Sequence, residues 1–259
     1  MTTVVTPEPL DAAKHGALRV RESARVDFAA RQHVMLVRAA EIGLAGACFP
    51  VFLNKHAESG TWLFSAMTSF VPGSNLFVNE GRWEATFAPS FMQTYPFFLV
   101  PESADSKELV TGIVPGSDAF SSTEGLPLYD EAGSLSLEVA QVETALRSDT
   151  EKDIQSRAFA ELITSLSLHR PVDIVVSMES GQNNTIRGLH TVDEERLRAL
   201  DDATVLDLTR NGSLMALHAM LFSMGQINAL VQRHSRRFDD AVKQVRVETA
   251  RDPGAGGTH

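Results

Sequence analysis

Hydrophobic residues in the first half of the chain occur in short runs separated by turn residues. Two β-rich runs, at 49–54 and 61–70, lie on either side of a polar loop that contains Gly60, an arrangement that predicts a hairpin. Pro89 fits the first turn of a short helix at 89–94, and the apolar run at 97–100 predicts a buried strand. This half is therefore expected to consist of short antiparallel strands and hairpins.

The second half has a different pattern. Between 136 and 168 apolar residues recur at helical spacing, although the polar residues at 148–150 could divide this stretch into two helices. A β-rich run at 172–178 meets a polar turn and returns at 185–189, which predicts a second hairpin. Thr191 and Glu194 form a capping-box pattern that starts a further helix. The chain is thus predicted to be α+β, with helices and one hairpin in its C-terminal half.

The pattern also predicts where the folded domain begins and ends. Residues 1–25 are polar and lack an apolar period, so we expect a flexible leader, followed by a single domain at 26–238 and a flexible tail at 239–259. The beginning of the chain lacks the basic flank and apolar run of a secretory signal. The apolar stretch at 214–231 contains four polar residues, so no membrane span is predicted. We expect a cytoplasmic protein.

The last predicted helix, at 214–234, is apolar on nearly every side. Such a helix must be enclosed by other elements or by a second subunit. Gly225 is unusual inside a helix, where glycine costs about 1 kcal/mol relative to alanine, and close packing against another helix would explain it. The pattern therefore predicts a homodimer through this helix, with a central core helix in a monomer as the alternative.

Charge narrows the classes of partner. The formal net charge of −10 argues against nucleic acid as a partner, because phosphate binding needs a basic surface. Acidic residues concentrate between Glu102 and Asp153, where twelve Asp or Glu stand against three Lys or Arg. This stretch indicates either a solvated acidic face or a docking surface for a basic partner. Cys48 is the single cysteine, which excludes an intramolecular disulfide and a cysteine metal cage.

Catalytic motifs are not recognisable in the sequence. It has no phosphate-binding loop and no nucleophile elbow. Its histidines are scattered, and His190 with Asp193 is the nearest approach to a pair of metal ligands. An exposed helix start explains both residues without a metal. We therefore predict no metal site, and the sequence does not indicate a cofactor.

One constellation suggests a binding site. Arg82 and Trp83, together with Tyr95 and Phe97, could form an aromatic pocket with an arginine at its lip, suited to a carboxylate or a peptide terminus. The alternative is that Trp83, Tyr95 and the two phenylalanines between them recur every four residues and simply pack a core.

Several short motifs occur in an order that resembles the SapC family between about residues 28 and 230. They are Phe49-Pro50-Val51-Phe52, Asn75-Leu76-Phe77-Val78, Gly81-Arg82-Trp83, Tyr95-Pro96-Phe97, Leu128-Tyr129-Asp130-Glu131-Ala132-Gly133, Gly188-Leu189-His190-Thr191-Val192-Asp193-Glu194-Glu195, Asn211-Gly212-Ser213-Leu214 and Ser223-Met224-Gly225-Gln226. Thr94 stands where the family usually has a basic residue before the Tyr-Pro-Phe motif.

The resemblance implies context rather than a reaction. It implies an association with bacterial surface layers, and with genes for outer-membrane receptors and flavin-dependent, halogenase-like enzymes, but it supplies no catalytic residues. The expectation is a soluble accessory or binding protein that recognises a peptide or protein partner. The alternative is a metal-dependent enzyme that uses His190 and nearby carboxylates, or a partner subunit of an oxidative tailoring system.

Overall fold

The computed structural model describes residues 6–103 and 105–250. The strands are β1 (Glu8–Pro9), β2 (Arg19–Val20), β3 (Val34–Val37), β4 (Val51–Lys55), β5 (Trp62–Met67), β6 (Val78–Asn79), β7 (Arg82–Trp83), β8 (Phe97–Pro101), β9 (Leu109–Ile113), β10 (Phe120–Ser121), β11 (Leu126–Pro127), β12 (His169–Met178), β13 (Asn183–Val192) and β14 (Val242–Thr249). The helices are α1 (Ala12–His15), α2 (Ala24–Ala30), α3 (Ile42–Gly46), α4 (Ser90–Thr94), α5 (Leu137–Ser165), α6 (Glu194–Arg198), α7 (Asp202–Arg210), α8 (Ser213–Ser223) and α9 (Gln226–Arg237), with a 3-10 turn at Ala39–Glu41. The predicted α+β class is confirmed.

The largest sheet has six strands in the order β14-β12-β13-β4-β5-β3, and neighbouring strands run antiparallel. It contains both predicted hairpins, β4 with β5 and β12 with β13. The main hydrophobic core joins this sheet to α8, α9 and the C-terminal part of α5, and Phe64 stacks on Phe159 of α5 at 5.4 Å between ring centroids. Strand β3 ends the sheet on one side and β14 on the other.

A smaller sheet, β1-β9-β8, stands beside a third one, β10-β2-β11. These elements enclose a second core that contains Phe97, Ile113 and Leu128, and the N-terminal part of α5 completes it through Val139 and Val142. Helix α5 is continuous over 29 residues, so the polar residues at 148–150 do not divide it. One helix therefore packs against both cores, and its middle lies between them.

The structure places parts of both predicted flexible ranges in paired strands. In the N-terminal range, β1 pairs with β9, and β2 pairs with β10 and β11. In the C-terminal range, β14 pairs with β12 through seven pairs of facing residues. Strand pairing depends on the partner strand as well as on local apolar pattern, which explains why these segments were expected to be flexible. Residues 1–5 and 251–259 lie outside the described residues.

The predicted last helix is divided into α8 and α9 by a turn at Met224 and Gly225. By length and composition, the stretch Ser213–Arg237 is apolar enough to cross a membrane, and 28% of its most apolar window is buried. The core helix of a soluble protein can satisfy the same criterion, and Leu217, Met220 and Leu230 of this stretch do lie in the main core.

Candidate functional site: a groove between two sheet edges

The structure separates the residues of the predicted aromatic pocket. Trp83 donates its ring N–H to the Phe87 carbonyl at 3.0 Å and packs against Phe49 and Phe77 of the main core. Arg82 precedes it in the short β7 strand and is exposed. The Arg82–Trp83 pair therefore belongs to a hairpin that covers the main core.

Tyr95 and Phe97 lie in a different part of the molecule. Tyr95 stacks on Phe28 at 4.1 Å, and Phe97 is buried in the second core against Phe120. The four-residue spacing from Trp83 to Tyr95 does not place the rings on one helix face, because only Ser90–Thr94 is helical. Tyr95 and Phe97 come together in the second core, and Trp83 does not join them.

Phe97 does line a cavity of about 460 Å³ that runs between the two cores. This volume is within the range of small-molecule and peptide sites. The other lining residues come from separate segments of the chain: Leu36, Val37, Arg38, Thr61, Trp62, Leu63, Phe64, Phe91, Thr94, Phe98, Leu99, Leu146, Asp149, Thr150, Asp153, Ser156 and Arg157. We call this cavity the groove.

Two strand edges border the groove. Strand β3 is the last strand of the six-stranded sheet, and β8 is the last strand of the smaller sheet. A terminal strand has unpaired backbone N–H and C=O groups along its outer side, so it can pair with an added strand. Both edges meet a single cavity here, which is unusual because proteins generally cover or charge such edges.

The walls of the groove are apolar. Met35 and Val37 of β3 are buried, whereas Leu36 between them is 41% exposed, as expected for side chains that alternate between the two faces of a strand. On β8, Phe98 and Leu99 are half-buried. Leu36, Phe98 and Leu99 together present apolar surface that the chain itself covers only in part.

The floor of the groove is polar and comes from the middle of α5. Arg38, which follows β3, has its Nη1 atom 3.1 Å from the Asp149 Oδ2 atom and its Nε atom 2.7 Å from the Asp153 Oδ1 atom. Lys152 also pairs with Asp149, at 2.9 Å. The Arg38 and Asp149 side chains are only 14% and 5% exposed, so this ion network is largely withdrawn from water.

Further hydrogen bonds fix the chain direction after β3. The Glu41 carboxylate accepts hydrogen bonds from the backbone N–H of Arg38 and of Ser90, each at 2.8 Å. Ser156 of α5 accepts one from the Ala39 N–H at 2.9 Å, and Arg38 also donates to the Ser90 hydroxyl. These contacts tie β3, α4 and α5 together, so the end of the β3 edge is held in place by three elements.

Trp62 connects the groove with a pair of histidines. Its ring lies 5.0 Å from that of His169 and 4.8 Å from that of His190, and the two Nδ1 atoms are 3.0 Å apart. Burial, and to a smaller extent the positive charge of Arg196, lowers the pKa of His169. Because the two Nδ1 atoms are within hydrogen-bonding distance, one of them carries the N–H that donates and the other is unprotonated and accepts.

Within the described part of the chain, His190 does not belong to a metal centre. Asp193, its predicted companion, instead caps α6 by accepting a hydrogen bond from the Arg196 N–H, so α6 starts two residues later than the capping-box pattern predicted. Over residues 6–103 and 105–250, no group of three or more His, Cys, Asp or Glu side chains is arranged to hold a metal ion.

The sequence contained one signal for the groove. Asp149 and Thr150 interrupt an otherwise apolar helical stripe, and the structure shows that both line the groove. In this helix, which is continuous, the two polar residues mark a polar site rather than a break. The role of Leu36 and Phe98 could not be predicted from the sequence, because an edge strand is recognisable only once the order of strands is known.

A family model described as SapC matches residues 10–230. No curated protein and no solved structure matches the chain. The matched range covers well over half of the 259 residues and includes every segment that lines the groove. The chain belongs to the SapC family.

Proposed function

We propose that this protein is a binding or accessory protein that recognises an extended peptide segment of a protein partner through the groove. The observation that carries the proposal is that β3 and β8, the terminal strands of two different sheets, border one partly apolar cavity. Strand addition to an exposed edge is a recurrent mode of peptide recognition, in which backbone hydrogen bonds supply affinity and side-chain pockets supply specificity.

The composition of the two edges supports this mode. Strand β3 reads Val-Met-Leu-Val, and β8 reads Phe-Phe-Leu-Val-Pro. Neither contains a charged residue, although charges are the usual protection of an exposed edge. An extended ligand would place alternate side chains against Leu36 and Phe98, and its backbone would satisfy the outward N–H and C=O groups of an edge strand.

The family context agrees with an accessory role. An association with surface-layer or outer-membrane-receptor systems, which the sequence resemblance implied, belongs to this proposal as its setting. In such a setting, the protein would bind its partner in the cytoplasm before that partner is assembled or exported.

The proposal is tested with a displayed library of random peptides about eight residues long, the usual upper range of a strand. The purified chain is compared with Leu36→Lys, which adds a charge at the β3 edge. The matched control is Val247→Lys: Val247 is 43% exposed on β14, the opposite edge of the same sheet.

The native chain and Val247→Lys should select the same peptides, rich in β-branched or aromatic residues at alternate positions. Leu36→Lys should bind those peptides at least about tenfold more weakly. Circular dichroism shows whether both variants keep the native secondary structure. Failure of the native chain to select peptides, or equal binding by Leu36→Lys, would overturn the proposed function.

A further inference from the structure

We infer that the peptide recognised in the groove carries a carboxylate that binds Arg157; this inference rests on the proposed function. It starts from the charged side chains that line the groove, which are Arg38, Asp149, Asp153 and Arg157. A charged ligand group gains most from a lining charge of opposite sign that the protein has not already paired.

Three of these four charges are already paired within the protein. Arg38 forms ion pairs with both Asp149 and Asp153, and Asp149 is also paired with Lys152. The Asp149 side chain is 5% exposed, so a ligand cannot reach it without displacing Arg38. The ion network therefore neutralises these three charges within the protein, although the buried Asp149 Oδ2 atom accepts no hydrogen bond.

Arg157 is the exception. It follows Asp153 by four residues on α5, the spacing at which an acidic residue ordinarily pairs with a basic one on a helix. Asp153 is instead held by Arg38, with 2.7 Å between the Asp153 Oδ1 and Arg38 Nε atoms. Among the residues that the structure describes, no carboxylate forms an ion pair with Arg157, which is exposed at the border of the groove.

The surroundings of Arg157 favour a single carboxylate over a more highly charged anion. The planar guanidinium group can donate two parallel hydrogen bonds to a carboxylate. Asp153 lies one turn away with its side chain 52% exposed, and the chain carries a net charge of −10. The Asp153 carboxylate and the negative net charge of the chain both repel a phosphate dianion more strongly than a carboxylate with one charge.

A carboxylate at Arg157 would also fix the position of the peptide. Apolar contacts with Leu36 and Phe98 can be made in several registers, because a shift by two residues restores the same alternation. A charge pair at one border of the groove selects one of these registers. The carboxylate can come from the peptide's C-terminus or from an Asp or Glu side chain, and the experiment distinguishes these sources.

The test uses the peptides that the native chain selects, synthesised in three forms. One form is unchanged, the second is amidated at its C-terminus, and in the third every Asp and Glu is replaced by Asn and Gln. Each is titrated against the native chain, Arg157→Gln and Arg147→Gln. Arg147 is the control because it lies on the same helix but is paired with Glu143 and is not part of the groove lining.

The native chain and Arg147→Gln should bind the unchanged peptide equally. Arg157→Gln should bind it about threefold to fivefold more weakly, and this variant should no longer distinguish the form that lacks the essential carboxylate. Loss on amidation identifies a C-terminal carboxylate, and loss in the third form identifies a side chain. Unchanged binding by Arg157→Gln would overturn this inference alone, whereas unchanged binding by Leu36→Lys would overturn the proposed function.

Discussion

Arg38 is the residue that holds the floor of the groove together. Its guanidinium group pairs with Asp149 and Asp153 of α5, and its backbone N–H is held by Glu41. Because Asp149 is nearly inaccessible to water, the loss of Arg38 leaves a buried carboxylate with Lys152 as its remaining partner. Such a loss is far more costly than the loss of an exposed ion pair.

We therefore predict that Arg38→Ala lowers the free energy of unfolding by about 3 kcal/mol. The matched control is Arg147→Ala, since Arg147 pairs with Glu143 on the exposed part of the same helix, where the loss should stay below about 1 kcal/mol. Urea denaturation measures both. Equal losses in the two variants would show that the Arg38 network does not stabilise the fold.

His234 is a second residue whose environment has a measurable consequence. It is 2% exposed, its Nε2 atom lies 3.2 Å from the Asp240 carbonyl oxygen, and its Nδ1 atom has no hydrogen-bond partner. Burial lowers the pKa of His234, while the carbonyl and the charge of Asp240 oppose this effect. Protonation at Nδ1 would place an N–H group in the core without an acceptor.

Stability should consequently fall in acid. The unfolded chain takes up a proton at the ordinary histidine pKa of 6.5, whereas the folded chain takes it up only at lower pH, so the free energy of unfolding decreases as the pH falls below about 6.5. His234→Gln, which can still donate to Asp240, should reduce this decrease between about pH 7.5 and about pH 5. His169 also has a lowered pKa and should account for part of the remaining slope. An unchanged slope in the variant would contradict this account.

At the scale of elements, the close approach of two helices involves Gly46 rather than Gly225. A Cβ atom added to Gly46 of α3 would lie 3.0 Å from the Ala219 carbonyl oxygen and 3.3 Å from the Ser223 Cβ atom of α8. A Cβ atom on Gly225 would approach only the Phe222 carbonyl oxygen, one turn earlier, at 3.3 Å. The sequence pattern predicted this close packing at Gly225, whereas the structure shows it at Gly46.

Gly46→Val should therefore lower the free energy of unfolding by about 1 to 3 kcal/mol through overpacking. Gly225→Ala, the matched control, should change it by less than about 1 kcal/mol, because its backbone is already helical. Thermal denaturation of the two variants distinguishes these outcomes. A larger loss of stability at Gly225 than at Gly46 would contradict the close packing of α3 on α8 at Gly46.

The elements that could be predicted from the sequence are those whose pattern is local. The β4/β5 and β12/β13 hairpins and helix α4 follow from apolar runs, turn residues and proline. Strands β1 and β14 could not be predicted in this way, because their pairing partners are distant in the sequence. The groove was even less predictable from the sequence. Its walls and floor come from β3, β8 and α5, and only the order of strands brings these elements together.

At the scale of the whole molecule, self-association stays a prediction, and the structure indicates which residues would mediate it. Met215 and Phe222 of α8 are 76% and 79% exposed. They are separated by two helical turns and so lie on one face. Exposed apolar side chains of this size are typical of interaction surfaces, and a face used by both subunits fits a two-fold dimer.

We predict that the native chain is a dimer at tens of micromolar concentration and that Met215→Ser combined with Phe222→Ser makes it a monomer. Multi-angle light scattering measures the mass of each, and circular dichroism controls for folding. A monomeric native chain would end the dimer hypothesis. The binding groove is formed within one chain, so peptide binding should be the same in the monomeric variant.

A peptide that binds in the groove as an added strand would pair with the edge of β3 or β8. The most direct test is amide hydrogen exchange of the native chain with and without a selected peptide. We expect slower exchange at outward-facing amides of Val34–Val37 or Phe97–Pro101 and unchanged exchange in the opposite edge strand, Val242–Thr249. Peptide binding without protection at either groove edge, or with protection only at the Arg82–Trp83 hairpin, would contradict it.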